Sequence, residues 1–149
     1  MKKKARNTGK ITNRRARFDY ELGDDLIAGA VLTGRETKAL RQGHAHLRGA
    51  FVTIKDGELL LTNATIASGK TFIIPESEQT RSRKLLASKK QIAALIEAKS
   101  QGKTIVPLEF LISGRYIKVK IAIGKGKKRY DKREVIKKRD QMRDAARSL

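Results

Sequence analysis

The 149-residue chain contains no cysteine and no tryptophan, and only two histidines, two prolines, four phenylalanines and three tyrosines. Without cysteine there is no disulfide framework, no thiolate nucleophile and no cysteine-ligated zinc site. The two histidines, His44 and His46, have no nearby third ligand, so they read as loop residues and no metal is expected. No apolar run approaches the ~20 residues needed to span a bilayer. Met1 leads into Lys2-Lys3-Lys4 with no apolar stretch behind it, so neither a membrane span nor a signal peptide is expected and the chain is assigned to the cytoplasm. Gly69-Lys70-Thr71 and Gly102-Lys103-Thr104 resemble the end of a phosphate-binding loop, yet the positions that would hold its earlier glycine are Ala64 and Glu97. Asp24-Asp25 reads as a turn. No nucleophile with a positioned base emerges, so no enzymatic activity and no cofactor are expected.

Acidic residues are also scarce relative to basic ones: 35 Lys and Arg stand against 15 Asp and Glu, a net charge of +20. A field of that sign draws in polyanions before any specific contact forms. Its distribution is uneven. Residues 1–17 hold eight basic residues and no acid, and residues 125–149 hold eleven against four, whereas the longer middle holds sixteen against eleven. This divides the chain into a flexible basic lead-in over 1–12, a core over 13–124 and a basic tail over 125–149.

Within the core, Phe18, Tyr20 and Leu22 alternate as in a strand, and Leu26 to Leu32 follow as a buried strand in which Gly29 signals a bulge or a close backbone approach. Arg35 to Arg41 predicts one or two helical turns stopped by Gly43. Phe51–Lys55 and Glu58–Thr62 flank Asp56-Gly57, a pair that accepts the positive φ angles of a two-residue hairpin turn. Short apolar pieces follow at 64–67 and 71–74, then an irregular polar stretch over 75–84. Ser88 and Gln91 form a capping box, which starts a helix over 89–100 ended by Gly102. A second hairpin sets Val106, Leu108, Phe110 and Ile112 on one face of one strand. Its partner, Tyr116 to Ile123, shows Lys118 and Lys120 on an outer face.

Five or six antiparallel strands with two or three short flanking helices give a mainly β fold, an OB-fold-like barrel, with a flatter α+β sandwich as the alternative. Most of the few aromatic rings fall at positions patterned as core. Recognition of a folded RNA through Lys and Arg therefore fits better than base stacking, and about six neutralised phosphates predict a log-log salt slope near −4 to −5. The tail opens on the glycine-containing basic hinge Gly124 to Tyr130, and Asp131 and Glu134 have capping-box spacing. Val135, Met142, Ala146 and Leu149 make only a thin apolar stripe, so a helix is expected to form when a polyanion binds and to be disordered when free.

Four motifs in order carry a family resemblance: Asn13-Arg14-Arg15-Ala16-Arg17-Phe18-Asp19-Tyr20; Ala28 to Gly34 with Glu36, Lys38, Leu40, Arg41 and Gly43; Arg83-Lys84-Leu85-Leu86; and Lys125 to Lys128 with Tyr130-Asp131-Lys132-Arg133. From Asn13 onward the chain is similar to the small protein B family of bacteria, the SsrA-binding or tmRNA-binding proteins. The resemblance implies an OB-fold monomer that binds the tRNA-like domain of tmRNA and delivers it to stalled ribosomes for trans-translation, with elongation factor Tu linked through aminoacylated tmRNA. It also implies a tail that becomes helical in the empty message channel, near the small-subunit ribosomal RNA of the decoding centre. Carried over by position, Asn13, Arg14, Lys84, Leu86 and Lys118 fall on the tmRNA-binding surface, with core packing the alternative for Leu86. Lys125, Gly126, Lys127, Lys128, Tyr130, Asp131, Lys132 and Arg133 match the ribosome-binding tail motif, with Tyr130 placed to stack on a base. Two departures stand out. Ile27 occupies a position where the family commonly has an acid, and the 75–84 connection lacks an Asp-Pro pair.

Overall fold

The computed structural model describes residues 9–126, 133 and 136–143. The described core is mainly antiparallel β with four short helices: β1 (Lys10–Thr12), α1 (Ala16–Asp19), β2 (Tyr20–Ala30), α2 (Gly34–Arg41), β3 (Ala45–His46), β4 (Phe51–Lys55), β5 (Glu58–Thr62), β6 (Thr65–Ile66), α3 (Glu76–Gln79), β7 (Arg83–Leu86), α4 (Lys89–Ser100), β8 (Thr104–Leu111) and β9 (Lys118–Gly126). Seven strands pair in the order β1-β8-β4-β5-β7-β2-β9, and β9 pairs back onto β8. The succession β8-β4-β5-β7-β2-β9 therefore returns to its first strand. Its inner side holds Ala28, Val52, Leu59, Leu61, Leu85, Ile105, Phe110, Val119 and Ile121, all buried. Strands β3 and β6 form a separate pair.

Both hairpins form. Asp56 and Gly57 take φ 52° and 76°, as a two-residue turn requires. In α4 the Ser88 hydroxyl accepts from Gln91 N while the Gln91 side chain accepts from Ser88 N. Leu95 is buried there, but Ile96 is 46% exposed, so the apolar face of α4 is narrower than expected.

Elsewhere the chain departs from its pattern. Phe18 lies in α1, whose closing amide bonds run from Phe18 N and Asp19 N to Arg15 O, so the strand begins only at Tyr20. Beyond it the two expected strands are one, because Gly23-Asp24-Asp25 is a bulge: the register with β9 shifts between Leu22 and Asp25. Gly29, by contrast, pairs regularly on both sides. Residues 71–74 form no strand, while the stretch over 75–84 supplies α3 and the start of β7.

The alternation expected along β8 also breaks, since the register shifts between Pro107 and Glu109 and leaves Leu108 as the extra residue. A bulge turns the chain by one residue and so exchanges faces. Val106 and Leu108 pack outside with Ala16 and Ala122, whereas Ile105, Phe110 and Ile112 join the main core. At the ends, β1 begins inside the expected lead-in, and β9 runs through Lys125 and Gly126, opposite Glu21 and Tyr20.

Candidate nucleic-acid interface

The bulges decide what the outer surface offers. At one end of β2 and β9 the outer face is covered, because Ala16 of α1 packs on Val106 and Ala122 with Tyr20 and Leu22 beside them. Past the bulges it is open. There the ladders align Lys10, Leu111, Lys118, Gly29 and Leu86 in one row across β1, β8, β9, β2 and β7. A second row aligns Thr12, Glu109, Lys120 and Ile27. Residues opposite one another in a ladder share a face, so Lys118 and Leu86 flank Gly29, with Ile27 two residues before it on β2 and Val31 just past the strand's end.

This surface is both basic and apolar. Leu86, Ile27 and Val31 are about half exposed. Lys120 Nζ lies 3.7 Å from Asp25, Lys10 Nζ 3.9 Å from Glu109 and Lys84 Nζ 3.1 Å from Glu58. No ion pair among the described residues holds Lys118. Asp25, Glu109 and Glu58 are thus each engaged by a lysine, and Lys118 adds charge beside Gly29.

Of the residues singled out on the core, the fold brings Lys84, Leu86 and Lys118 together. Leu86 points outward, and the inward core position in its motif belongs to Leu85. Asn13 is buried: its amide nitrogen donates to Pro107 O at 2.9 Å and its backbone N–H to Leu108 O at 2.7 Å, so it satisfies the carbonyls that the β8 bulge leaves free. Arg14 is exposed around the corner, in a shallow recess shared with His46 and Arg48. Arg17 lines a small depression with Glu109 and Lys120, a basic neighbour that its sequence position did not single out.

The remaining motif residues prove architectural. Arg83 is fully buried; its Nε donates to Glu36 Oε2 at 2.6 Å, and its two terminal nitrogens donate to the carbonyls of Ala64, Arg81, Glu78 and Gln79. Arg81 pairs with both oxygens of the same carboxylate. Glu36 in turn accepts from Thr33 N and completes a capping box on α2, where the Thr33 hydroxyl accepts from Glu36 N. Burial alone would push the Glu36 carboxyl up, but the bonds from Arg81, Thr33 N–H and Arg83 outweigh it and hold it below the usual carboxylate range. Burial likewise lowers the Arg83 pKa, with Glu36 opposing. Arg41 clamps the turn between β8 and β9, donating to Ile112 O, Gly114 O and Arg115 O at 3.0–3.2 Å.

The aromatic rings are less buried than their pattern predicts: Phe110 alone of the described rings is fully buried, while Tyr116 is 71% and Phe51 40% exposed. Tyr116 follows the clamped turn, with the Arg115 guanidinium 5.7 Å from its ring. Stacking therefore has a foothold at Tyr116, which the alternation of residues 116–123 also sets on the side opposite Ile117 and Val119.

In the tail, Lys125 and Gly126 are exposed at the end of β9, and Arg133 is exposed and helical, as are residues 136–143. Arg139 reaches back to Phe18, 5.9 Å from the ring centre. Lys127, Lys128, Tyr130, Asp131 and Lys132 lie outside the described residues, as do Glu134, Val135, Ala146, Leu149 and the first eight residues. No group of metal-ligating side chains occurs among the described residues. No described helix is long and apolar enough to cross a membrane.

The chain is similar to known proteins in sequence and in fold. The family model described as SmpB protein matches residues 10–149. An SsrA-binding protein of Streptococcus suis is 47% identical over 138 residues, covering 92% of this chain and 89% of the relative. One of Exiguobacterium sibiricum is 46% identical over 138 residues, covering 92% and 88%. Among solved structures, a chain from "tmRNA-SmpB: a journey to the center of the bacterial ribosome" superposes with a TM-score of 0.69 at 36% identity, covering 87% of this chain and 95% of that one.

Proposed function

Because the chain belongs to the SmpB protein family, we propose that it is an RNA-binding adaptor that holds tmRNA through its tRNA-like domain and delivers it to stalled ribosomes for trans-translation. The observation that carries this reading is the open outer face on which Lys84, Leu86 and Lys118 converge around Gly29. We read the six-strand ring as an OB-type barrel that closes its own edges and so presents a rigid surface to RNA. Asn13 acts here by fixing the bulge beneath that surface, and Arg14 extends the basic field around it. Lys10, Arg17 and Lys120 supply further cations for the phosphate backbone, which positions an RNA without reading its bases.

The tail, from Lys125 with Gly126, Lys127, Lys128, Tyr130, Asp131, Lys132 and Arg133, is assigned to the small-subunit ribosomal RNA of the empty message channel, where it completes a helix. Charge repulsion within so basic a segment disfavours that helix in solution, and a polyanionic channel removes the penalty. The protein acts as a cytoplasmic monomer, and elongation factor Tu meets it through aminoacylated tmRNA.

Gel-shift titration of tmRNA against an unrelated RNA of equal length at physiological salt tests the adaptor reading. Preference for tmRNA is expected; equal or weaker binding points instead to a general RNA chaperone or ribosome-associated protein. Removing the residues after Gly126 tests the division of labour, because it leaves the β2–β9 ladder whole. Retained tmRNA binding with loss of tagging on stalled ribosomes is the expected result, and joint loss overturns it.

A further inference from the structure

We propose that Phe18 is a latch for the chain's own tail: in the free protein its ring holds the helix over 136–143 beside α1 through Arg139, and a polyanion that takes up Arg139 releases it. The latch acts before any RNA is met, so it does not depend on which RNA the tail enters.

The tail begins where α1 ends. Gly126, the last residue of β9, lies opposite Tyr20, the residue that follows α1. An extended chain of thirteen residues would carry Arg139 up to roughly 45 Å from Gly126. Its guanidinium instead lies 5.9 Å from the ring centre of Phe18, two residues before Tyr20. The tail has therefore folded back onto its own root. Arg139 is also the point at which the tail's thin apolar stripe is broken: Val135, Met142, Ala146 and Leu149 share one helical spacing, and Arg139 occupies the position in that spacing between Val135 and Met142. An apolar side chain there would need a pocket. A guanidinium needs only the face of a ring.

The hold is light. The eight residues 136–143 carry Lys137, Lys138, Arg139 and Arg143 against Asp140 alone, so they repel one another and gain from an outside support. Ile136 is 46% and Met142 75% exposed, so the helix buries little apolar surface. The Arg15 guanidinium lies 4.8 Å from the same ring and repels Arg139, although Asp19, 3.3 Å from Arg15, offsets part of that charge. A cation–π contact at an exposed site favours the docked tail by only about two- to fivefold. A phosphate makes shorter, charge-assisted bonds to a guanidinium, so a polyanion draws Arg139 off the ring. Until one arrives, the tail's cations stay beside the core and cover α1.

Because the chain has no cysteine, a nitroxide attached at Gln141→Cys in the full-length protein reports docking as lost intensity of nearby amide signals. Signals of Arg15 to Tyr20 are expected to weaken, while those of Ser113 to Tyr116, at the opposite end of β9, keep their intensity. Phe18→Leu and Arg139→Gln should each restore the weakened signals. Lys137→Gln removes the same charge as Arg139→Gln and should leave them weak. Titrating in a polyuridylate oligomer at low salt should restore them in the protein with Phe18 and Arg139 intact. Full intensity at Arg15 to Tyr20 before any oligomer is added overturns the latch, as does Arg139→Gln with no effect or Lys137→Gln with an equal one. Weakening that survives saturating oligomer overturns the release. Should Phe18→Leu fail to fold, Arg139→Gln decides alone, since it lies outside the barrel.

Discussion

Glu36 accepts bonds from Thr33 N, Arg81 and Arg83 at once, so a single carboxylate joins α2 to the segment leading into β7. Glu36→Gln leaves Arg83 buried without its counter-charge, and removing one partner of a buried pair costs about 3–5 kcal/mol. Urea unfolding at neutral pH measures that loss. The same carboxylate gives the fold an acid limit. Its pKa is lowered on folding, so the unfolded chain binds the proton more readily, and stability rises with pH through this window. The contribution is complete above the unfolded carboxylate range, near pH ~4.3, and disappears as pH falls through the lower folded value. Wild type should therefore lose stability more steeply than Glu36→Gln between neutral and strongly acidic pH. None of this was legible beforehand, because Arg83 reads as one more cation in a basic motif. Its partner lies 47 residues earlier, a distance at which no periodicity signals contact. Asn13 is the converse case: its place among surface residues rested on resemblance, and its burial depends on a bulge in a strand 94 residues away. Asn13→Ala should cost about 1–3 kcal/mol by leaving the Pro107 carbonyl unsatisfied.

Elements whose signals are local are legible in the sequence. The Asp56-Gly57 turn and the Ser88 cap each depend on residues within four positions, and both occur as their chemistry requires. Ser88→Ala is expected to destabilise the protein by about 1 kcal/mol without altering RNA affinity, which thermal melts and a gel shift would separate. Strands β2 and β8 are less legible, because a bulge inserts one residue and inverts the faces that alternation predicts. The Gly23 break is visible in sequence as a polar triplet; its consequence, one strand instead of two, depends on β9 pairing on either side of it. Pro107 was a usable signal, since a proline inside a strand belongs at an edge or a bulge. The single turn α1 carries no helical signal, because the chain there alternates as a strand would.

Taken whole, the molecule carries a charge of +20, most of it in its two ends, and the outer face of its core adds exposed leucine, isoleucine and valine. The charge was legible from composition, but its organisation into rows needed the register of five strands. Lys118→Ala should weaken RNA binding and reduce the magnitude of the salt slope by about 1. Tyr116→Ala removes an exposed ring, each such stacking being worth about 1–3 kcal/mol, and should weaken binding with the slope unchanged. Paired salt titrations of the two variants distinguish cation from ring.

Strand β2 also acts as a ruler. It meets the start of the tail at Tyr20, opposite Gly126, and the floor of the open face at Gly29, opposite Lys118. Nine residue steps at roughly 3.3 Å each set these points ~30 Å apart, slightly less for the bulge. Because β2 is hydrogen-bonded to β9 on either side of that bulge, the spacing is built into the pairing rather than left to a linker. On the proposed reading, an RNA held on the open face would stand at a fixed distance from the point where the tail begins.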